Sequence, residues 1–160
     1  NNFNKPVINL IPDWITHLTF GNNFNRSVDN LPTNLKYLTF GDDFNKPVHY
    51  LPKNLEHLTF GDDFNQPVNN LPNTIINLTF GECFSQSVDY LPTQLIELEC
   101  SWNKIIQLDF LPSNLKILNC SNNQLELLDL LPSELEELQC IRNNIKKLDN
   151  LPSNLKKFIL

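Results

Sequence analysis

A Leu-Pro pair returns every 20 residues, at 31, 51, 71, 91, 111, 131 and 151, and Ile11-Pro12 opens the series. A period of this length signals stacked structural units, because one such unit is too short to bury its own apolar face and needs neighbours on either side. The recurrence decides how every other motif is read. Gly61-Asp62-Asp63 resembles paired carboxylates that would hold a divalent cation. Yet the same slots read Asn22-Asn23, Asp42-Asp43, Asp62-Asp63 and Glu82-Cys83 in successive copies, and a unique active site does not recur four times. What persists is Phe, Gly and Phe. The acid pairs are therefore expected in a solvated turn, with Gly supplying a tight backbone.

Each unit follows its Leu-Pro with Leu-x-x-Leu-x-Phe or Leu-x-x-Leu-x-Cys, as in Leu55-Glu56-His57-Leu58-Thr59-Phe60 and Leu115-Lys116-Ile117-Leu118-Asn119-Cys120. The alternation Leu58, Thr59, Phe60 predicts a short strand with one buried face. Polar residues and Gly then turn the chain, and Pro favours an extended return. The repeat length leaves no room for a full helix between strands. The expected fold is a repeat solenoid: a leucine-rich-repeat arc with a parallel β-sheet on the concave face and extended or 3₁₀ segments on the convex face. No linker interrupts the register, so residues 1–160 are expected to form a single domain. One extra residue in VINLIP, against VDNLP, reads as a loop insertion.

Residues 91–160 resemble short 20-residue leucine-rich repeats, with Leu115, Leu118, Cys120, Asn123 and Leu125 in the expected slots. Residues 1–90 carry LTFGNNFNRSV, LTFGDDFNKPV, LTFGDDFNQPV and LTFGECFSQSV, and resemble the FNIP or FGxxFN repeats, a leucine-rich-repeat branch of social amoebae and large viruses of protists. That resemblance implies a β-solenoid with a double phenylalanine spine and a His/Tyr ladder. It also implies a role in protein binding, since some relatives join such repeats to an F-box and would present substrates to a ubiquitin ligase; no F-box lies in this sequence.

Aligned by column, Phe20, Phe40, Phe60 and Phe80 form one aromatic stack and Phe24, Phe44, Phe64 and Phe84 a second. In the later coils the first becomes Cys100, Cys120 and Cys140, and the second Ile105, Leu125 and Ile145. Asn falls five residues after Phe in the first half (Asn25, Asn45, Asn65, with Ser85 departing) but three after Cys in the second (Asn103, Asn123, Asn143). Two ladders of inward Asn amides, offset by two residues, are expected to satisfy backbone groups of adjacent coils.

The formal charge is −6, and neither half of the chain holds more Lys and Arg than Asp and Glu. This argues against a nucleic-acid partner. No apolar run approaches the roughly 18 residues of a membrane span. No signal peptide is visible. Four cysteines without a Cys-x-x-Cys pair fit buried free thiols in a reducing compartment, the cytoplasm, or a host's cytoplasm for a viral protein. Cys83, in an aspartate slot, is expected to react first. Neither a cofactor nor a metal is implied, and nothing matches a catalytic triad, so a non-enzymatic protein is expected.

Binding is then expected on the concave face, where one column reads His17, Tyr37, His57, Asn77, Glu97, Ile117, Glu137, Lys157 and its neighbour Thr19, Thr39, Thr59, Thr79, Glu99, Asn119, Gln139, Ile159. His17, Tyr37 and His57 are expected to stack at the surface. The partner would be a protein. A second reading is structural: the apolar strand Leu155–Leu160 looks uncapped, and its edge would pair with another copy to give a homodimer through the solenoid ends.

Overall fold

The structure, a computed structural model, describes residues 3–160. Its framework is eight three-residue strands: β1 (His17–Thr19), β2 (Tyr37–Thr39), β3 (His57–Thr59), β4 (Asn77–Thr79), β5 (Glu97–Glu99), β6 (Ile117–Asn119), β7 (Glu137–Gln139) and β8 (Lys157–Ile159). Each pairs in parallel with the next in chain order, so one eight-stranded sheet runs the length of the molecule. The register never slips: Leu18 faces Leu38, Leu38 faces Leu58, and so on to Leu138 against Phe158. Between strands the chain runs through turns and extended segments. Among the described residues there is no helix, 3₁₀ included.

The Leu-Pro signature builds the entry to each strand. The carbonyl of the Pro in each of these pairs accepts the N–H of the residue three further on, from Pro12 and Ile15 (3.1 Å) to Pro152 and Leu155 (3.1 Å). This turn drops Leu35, Leu55 and their equivalents into the interior. Asn34, Asn54, Asn114 and Asn154 ride on the same turn and donate side-chain N–H to carbonyls of the preceding coil at 2.8–3.1 Å. This exposed amide ladder joins the two anticipated ones.

In the first four coils the interior is aromatic. Within a coil the two rings lie face to face, with centroids 3.9 Å apart for Phe20 and Phe24 and 3.6 Å for Phe60 and Phe64. Between coils the Phe20 column steps by 5.5 to 5.8 Å and the Phe24 column by 6.1 to 6.3 Å. Coils related by pure translation would repeat every column at one distance. The widening from the sheet outward shows that successive coils are rotated, which curves the solenoid with the sheet on the inside.

The glycine's role differs from expectation. No Gly adopts a positive φ. Instead, a Cβ on Gly41 would lie 2.5 Å from the Asn22 Cα, and one on Gly61 or Gly81 would fall inside the backbone of the preceding Gly. Close approach of coils, not turn geometry, excludes a side chain here.

The second half turns differently. At the slot of the first aspartate, Trp102, Asn122 and Arg142 adopt left-handed φ values of 57°, 56° and 54°. The flip directs the next residue inward, and Asn103 and Asn123 become 5% and 7% exposed. Each Asn Nδ2 donates to the Cys carbonyl of its own coil, and Asn123 and Asn143 also reach back to Cys100 and Cys120 at 2.8 and 2.9 Å. Asn25, Asn45 and Asn65 are only half-buried, a correction to the expectation of an inward ladder throughout. The second Phe already fills the interior in those coils, so the Asn that follows it sits at the margin. Its Oδ1 still accepts the N–H of the same position one coil on, at 3.1 Å for Asn25 to Asn45 and for Asn45 to Asn65.

Candidate functional site

The concave face is built by elimination. Leu35, Leu38 and Phe40 point inward, so Lys36, Tyr37 and Thr39 face outward, and the pattern repeats through the coil of Leu135, Leu138 and Cys140. Three columns result. The two flanking the central Leu match the sequence reading. The third, Thr16, Lys36, Glu56, Ile76, Ile96, Lys116, Glu136 and Lys156, was not anticipated as a column. Its signal was the first x of Leu-x-x-Leu: two inward residues three apart leave both intervening side chains outside.

At the first three coils, His17, Tyr37 and His57 stack with ring centroids 4.1 and 4.3 Å apart and planes within 10°. The Thr16 Oγ1 lies 2.9 Å from His17 Nδ1, and beside the stack Lys36 Nζ and Glu56 Oε1 pair at 2.7 Å. That contact raises the Lys36 pKa, through the hydrogen bond first and the charge second. The imidazoles are spaced by the phenol and cannot converge on one ion. Among the described residues, no three His, Cys, Asp or Glu side chains are placed to hold a metal.

The middle of the face is mixed. Asn77 Nδ2 donates to Glu97 Oε2 at 2.5 Å. Glu99 accepts from Asn119 Nδ2 at 2.7 Å and from the Ser101 N–H at 2.8 Å. Ile76, Ile96 and Ile117 add a part-exposed apolar island beside the Asn77–Glu97 pair. Towards the last coils an ion network takes over. Glu136 accepts from Lys156 at 2.5 Å and Lys116 at 3.1 Å, and Glu137 from Lys157 at 2.9 Å. The hydrogen bonds from Lys156 and then Lys116 hold the Glu136 carboxyl below its ordinary range. The face thus runs from aromatic through amide and aliphatic to charged.

The thiols divide by burial. Cys83 is exposed, whereas Cys100, Cys120 and Cys140 lie in the interior column. Burial pushes the Cys100 and Cys120 thiols well above their usual range and Cys140 up to about 11. Asp42, Asp62 and Asp63 are solvent-exposed turn residues, and Asn22 Nδ2 donates to Asp42 Oδ2 at 2.5 Å.

A curved stack of Leu-lined coils with a parallel sheet along its inner face is a leucine-rich-repeat solenoid. Residues 3–43, 27–49 and 44–83 match the FNIP Repeat, and the chain belongs to that family. Over its full length it is similar to CroV588, a giant-virus protein described as a novel circular leucine-rich-repeat structure, at 36% identity and a TM-score of 0.83. It is also similar to YopM from Yersinia enterocolitica (25% identity, 85% of this chain, TM-score 0.68). The internalin-like protein lmo2027 of Listeria monocytogenes shares the fold (19%, 91% of this chain, TM-score 0.66). The chain spans 29% of CroV588, 31% of YopM and 51% of lmo2027. No curated protein sequence gives a significant match. These likenesses establish the leucine-rich-repeat fold.

Proposed function

We propose that this solenoid is a non-catalytic binding module that holds a protein partner on its concave face, centred on Tyr37, His57, Asn77 and Glu97. The observation that carries the reading is the continuous gradient across one sheet. A preordered aromatic stack, an aliphatic island at Ile76, Ile96 and Ile117, and a fixed ion network lie on a rigid frame. Aromatic groups already held in place lose little conformational entropy on binding, which favours them as anchors. His17, Glu99, Ile117 and Glu137 extend the surface to either side. The partner class we favour is a protein substrate delivered to a ubiquitin ligase, with the repeats as the receptor, in a reducing compartment such as the cytoplasm, or a host's cytoplasm if the protein is viral.

Affinity capture with the wild-type chain and with Tyr37→Ala and Glu97→Lys variants tests this. Both positions lie outside the core, so each variant should still melt cooperatively, lowered only by the lost ring stacking or side-chain hydrogen bond. A captured protein whose recovery falls about tenfold in each variant, as expected of anchor positions, supports the concave face. A partner retained equally by both variants removes the function from this surface.

A further inference from the structure

The residue pair before each Leu-Pro lies on the rim where the convex return meets the strand. In coils four to seven these pairs read Asp89-Tyr90, Asp109-Phe110, Asp129-Leu130 and Asp149-Asn150. Tyr90, Phe110 and Leu130 are 71%, 66% and 62% exposed, on three successive coils. A cleft of about 350 Å³ opens between Tyr90 and Phe110, lined by Leu91, Pro112, Asp89 and Thr93 among others. In earlier coils the stripe is broken, because Asn30 and Asn70 flank Tyr50 and the acidic column reads Asp29, His49, Asn69. Solvent-facing aromatic and aliphatic side chains in line are unusual on a surface that nothing covers.

The acids beside them are available. Asp149 is paired with Lys147, and Asp109 accepts from Gln107. Asp89 and Asp129 have no cation within 4 Å among the described residues. An apolar line edged by unneutralised carboxylates complements a partner that presents apolar and basic groups in adjacent lines.

Two adjacent lines select the backbone. An α-helix sets residues three and four apart on one face, so an apolar stripe can be bordered by basic residues on the same side. An extended peptide sends alternate side chains to opposite sides and offers a surface a single line. We infer that the rim formed by Asp89-Tyr90, Asp109-Phe110 and Asp129-Leu130 is a second docking surface, for an amphipathic helix with an apolar stripe bordered by Lys or Arg. It is separate from the concave face and would let the module engage two elements at once.

The test uses a fluorescein-labelled model helix with Leu at i, i+3, i+7 and i+10 and Lys beside each Leu. A scrambled peptide of the same composition is the control. Anisotropy is read at about 0.15 M salt, where charges beyond about 8 Å are screened. The patterned peptide should bind saturably, and the scrambled one about tenfold more weakly. Phe110→Ser and the double variant Asp109→Lys/Asp129→Lys should each weaken binding by about tenfold, as loss of an anchor does. Tyr37→Ala with Glu97→Lys should leave binding unchanged, so failure here is distinguishable from failure of the concave-face reading. Equal binding of both peptides, absence of saturation, or loss only in the concave variants overturns the inference. So does a dimer, seen by sedimentation, that Phe110→Ser dissociates, since the stripe would then be covered by a second copy.

Discussion

The two halves of this solenoid share one strand, one turn into it and one register, yet they fill their interiors by different means. In the first half a pair of phenyl rings per coil does the filling, Asn stays at the margin, and the turn closes from the Gly carbonyl to the Phe N–H, 3.0 Å in the first copy. In the second half a thiol and an aliphatic side chain leave space, and a left-handed residue swings Asn into it. Even the polarity of the ladders reverses. Asn45 Oδ1 accepts from the following coil, whereas Asn123 Oδ1 accepts the N–H of Ile105 in the preceding one at 2.9 Å. A solenoid therefore tolerates a change of core chemistry provided that the sheet is untouched and each coil's backbone groups find partners.

The halves meet between coils four and five, where the sheet runs on unbroken but the turn after the strand exchanges a backbone bond for a side-chain one. The Cys83 N–H reaches back to Asp62, while the Trp102 N–H reaches forward to Ser121, so neither bond crosses the junction. Asn103 Oδ1 accepts the Phe84 N–H at 2.7 Å instead. A surface cleft of about 270 Å³ opens beside it, lined by Ser85, Gln86, Lys104 and Ile106 among others.

The largest effect expected from breaking this comparison is at the spine. Phe60→Ala should destabilise by about 3–5 kcal/mol, because the site is walled by rings on the same and adjacent coils and collapses poorly. Cys120→Ala, at the matching position of the other half, removes one atom and should cost only about 1 kcal/mol. Urea denaturation of both variants measures the difference; equal losses would mean that the halves do not differ in packing.

Next comes the close approach of coils. Gly61→Ala forces a methyl group into neighbouring backbone and should cost about 2–3 kcal/mol, whereas Ser121→Ala, where a Cβ is already accommodated, should lie within about 1 kcal/mol of wild type. Thermal melts of the pair report it.

The ladders should differ less. Asn103→Ala leaves the Phe84 N–H without its buried partner and removes one of two donors to the Cys100 carbonyl, which keeps Asn123, a loss of about 2 kcal/mol, and Asn65→Ala, half-exposed, should cost about 1 kcal/mol or less. Hydrogen exchange at the Phe84 amide should accelerate in the first variant and not in the second.

The smallest effect is on pH dependence and belongs to the second half. Unfolded thiols ionise near 9.0 and the folded Cys140 near about 11. Between these values the unfolded chain has lost protons that the folded one retains, so stability falls as pH rises. Cys100 and Cys120, raised further, extend the decline upward. Denaturation followed from pH 7 to 10 should show the loss, and Cys140→Ala should reduce its slope by about one third, since Cys100 and Cys120 begin to contribute at the same pH. Exposed Cys83 should be the thiol that iodoacetamide modifies first in the folded protein.

Much of this was legible in the residues. The 20-residue recurrence and the Leu-x-x-Leu-x-Phe alternation determine stacked coils, a parallel sheet and two Phe columns. A short repeat leaves each apolar face only its neighbours to pack on. The His-Tyr-His stack was readable for the same reason, since a fixed register places equivalent residues side by side. The tertiary structure decided what depends on distances between coils. It made the close approach of neighbouring coils the reason the turn must begin with Gly, left Asn45 and Asn65 half-exposed while burying Asn103 and Asn123, and gave Asn103 the junction. These outcomes follow from how much volume the neighbouring coil already fills and how far it is rotated, quantities that belong to the stack and to no single repeat.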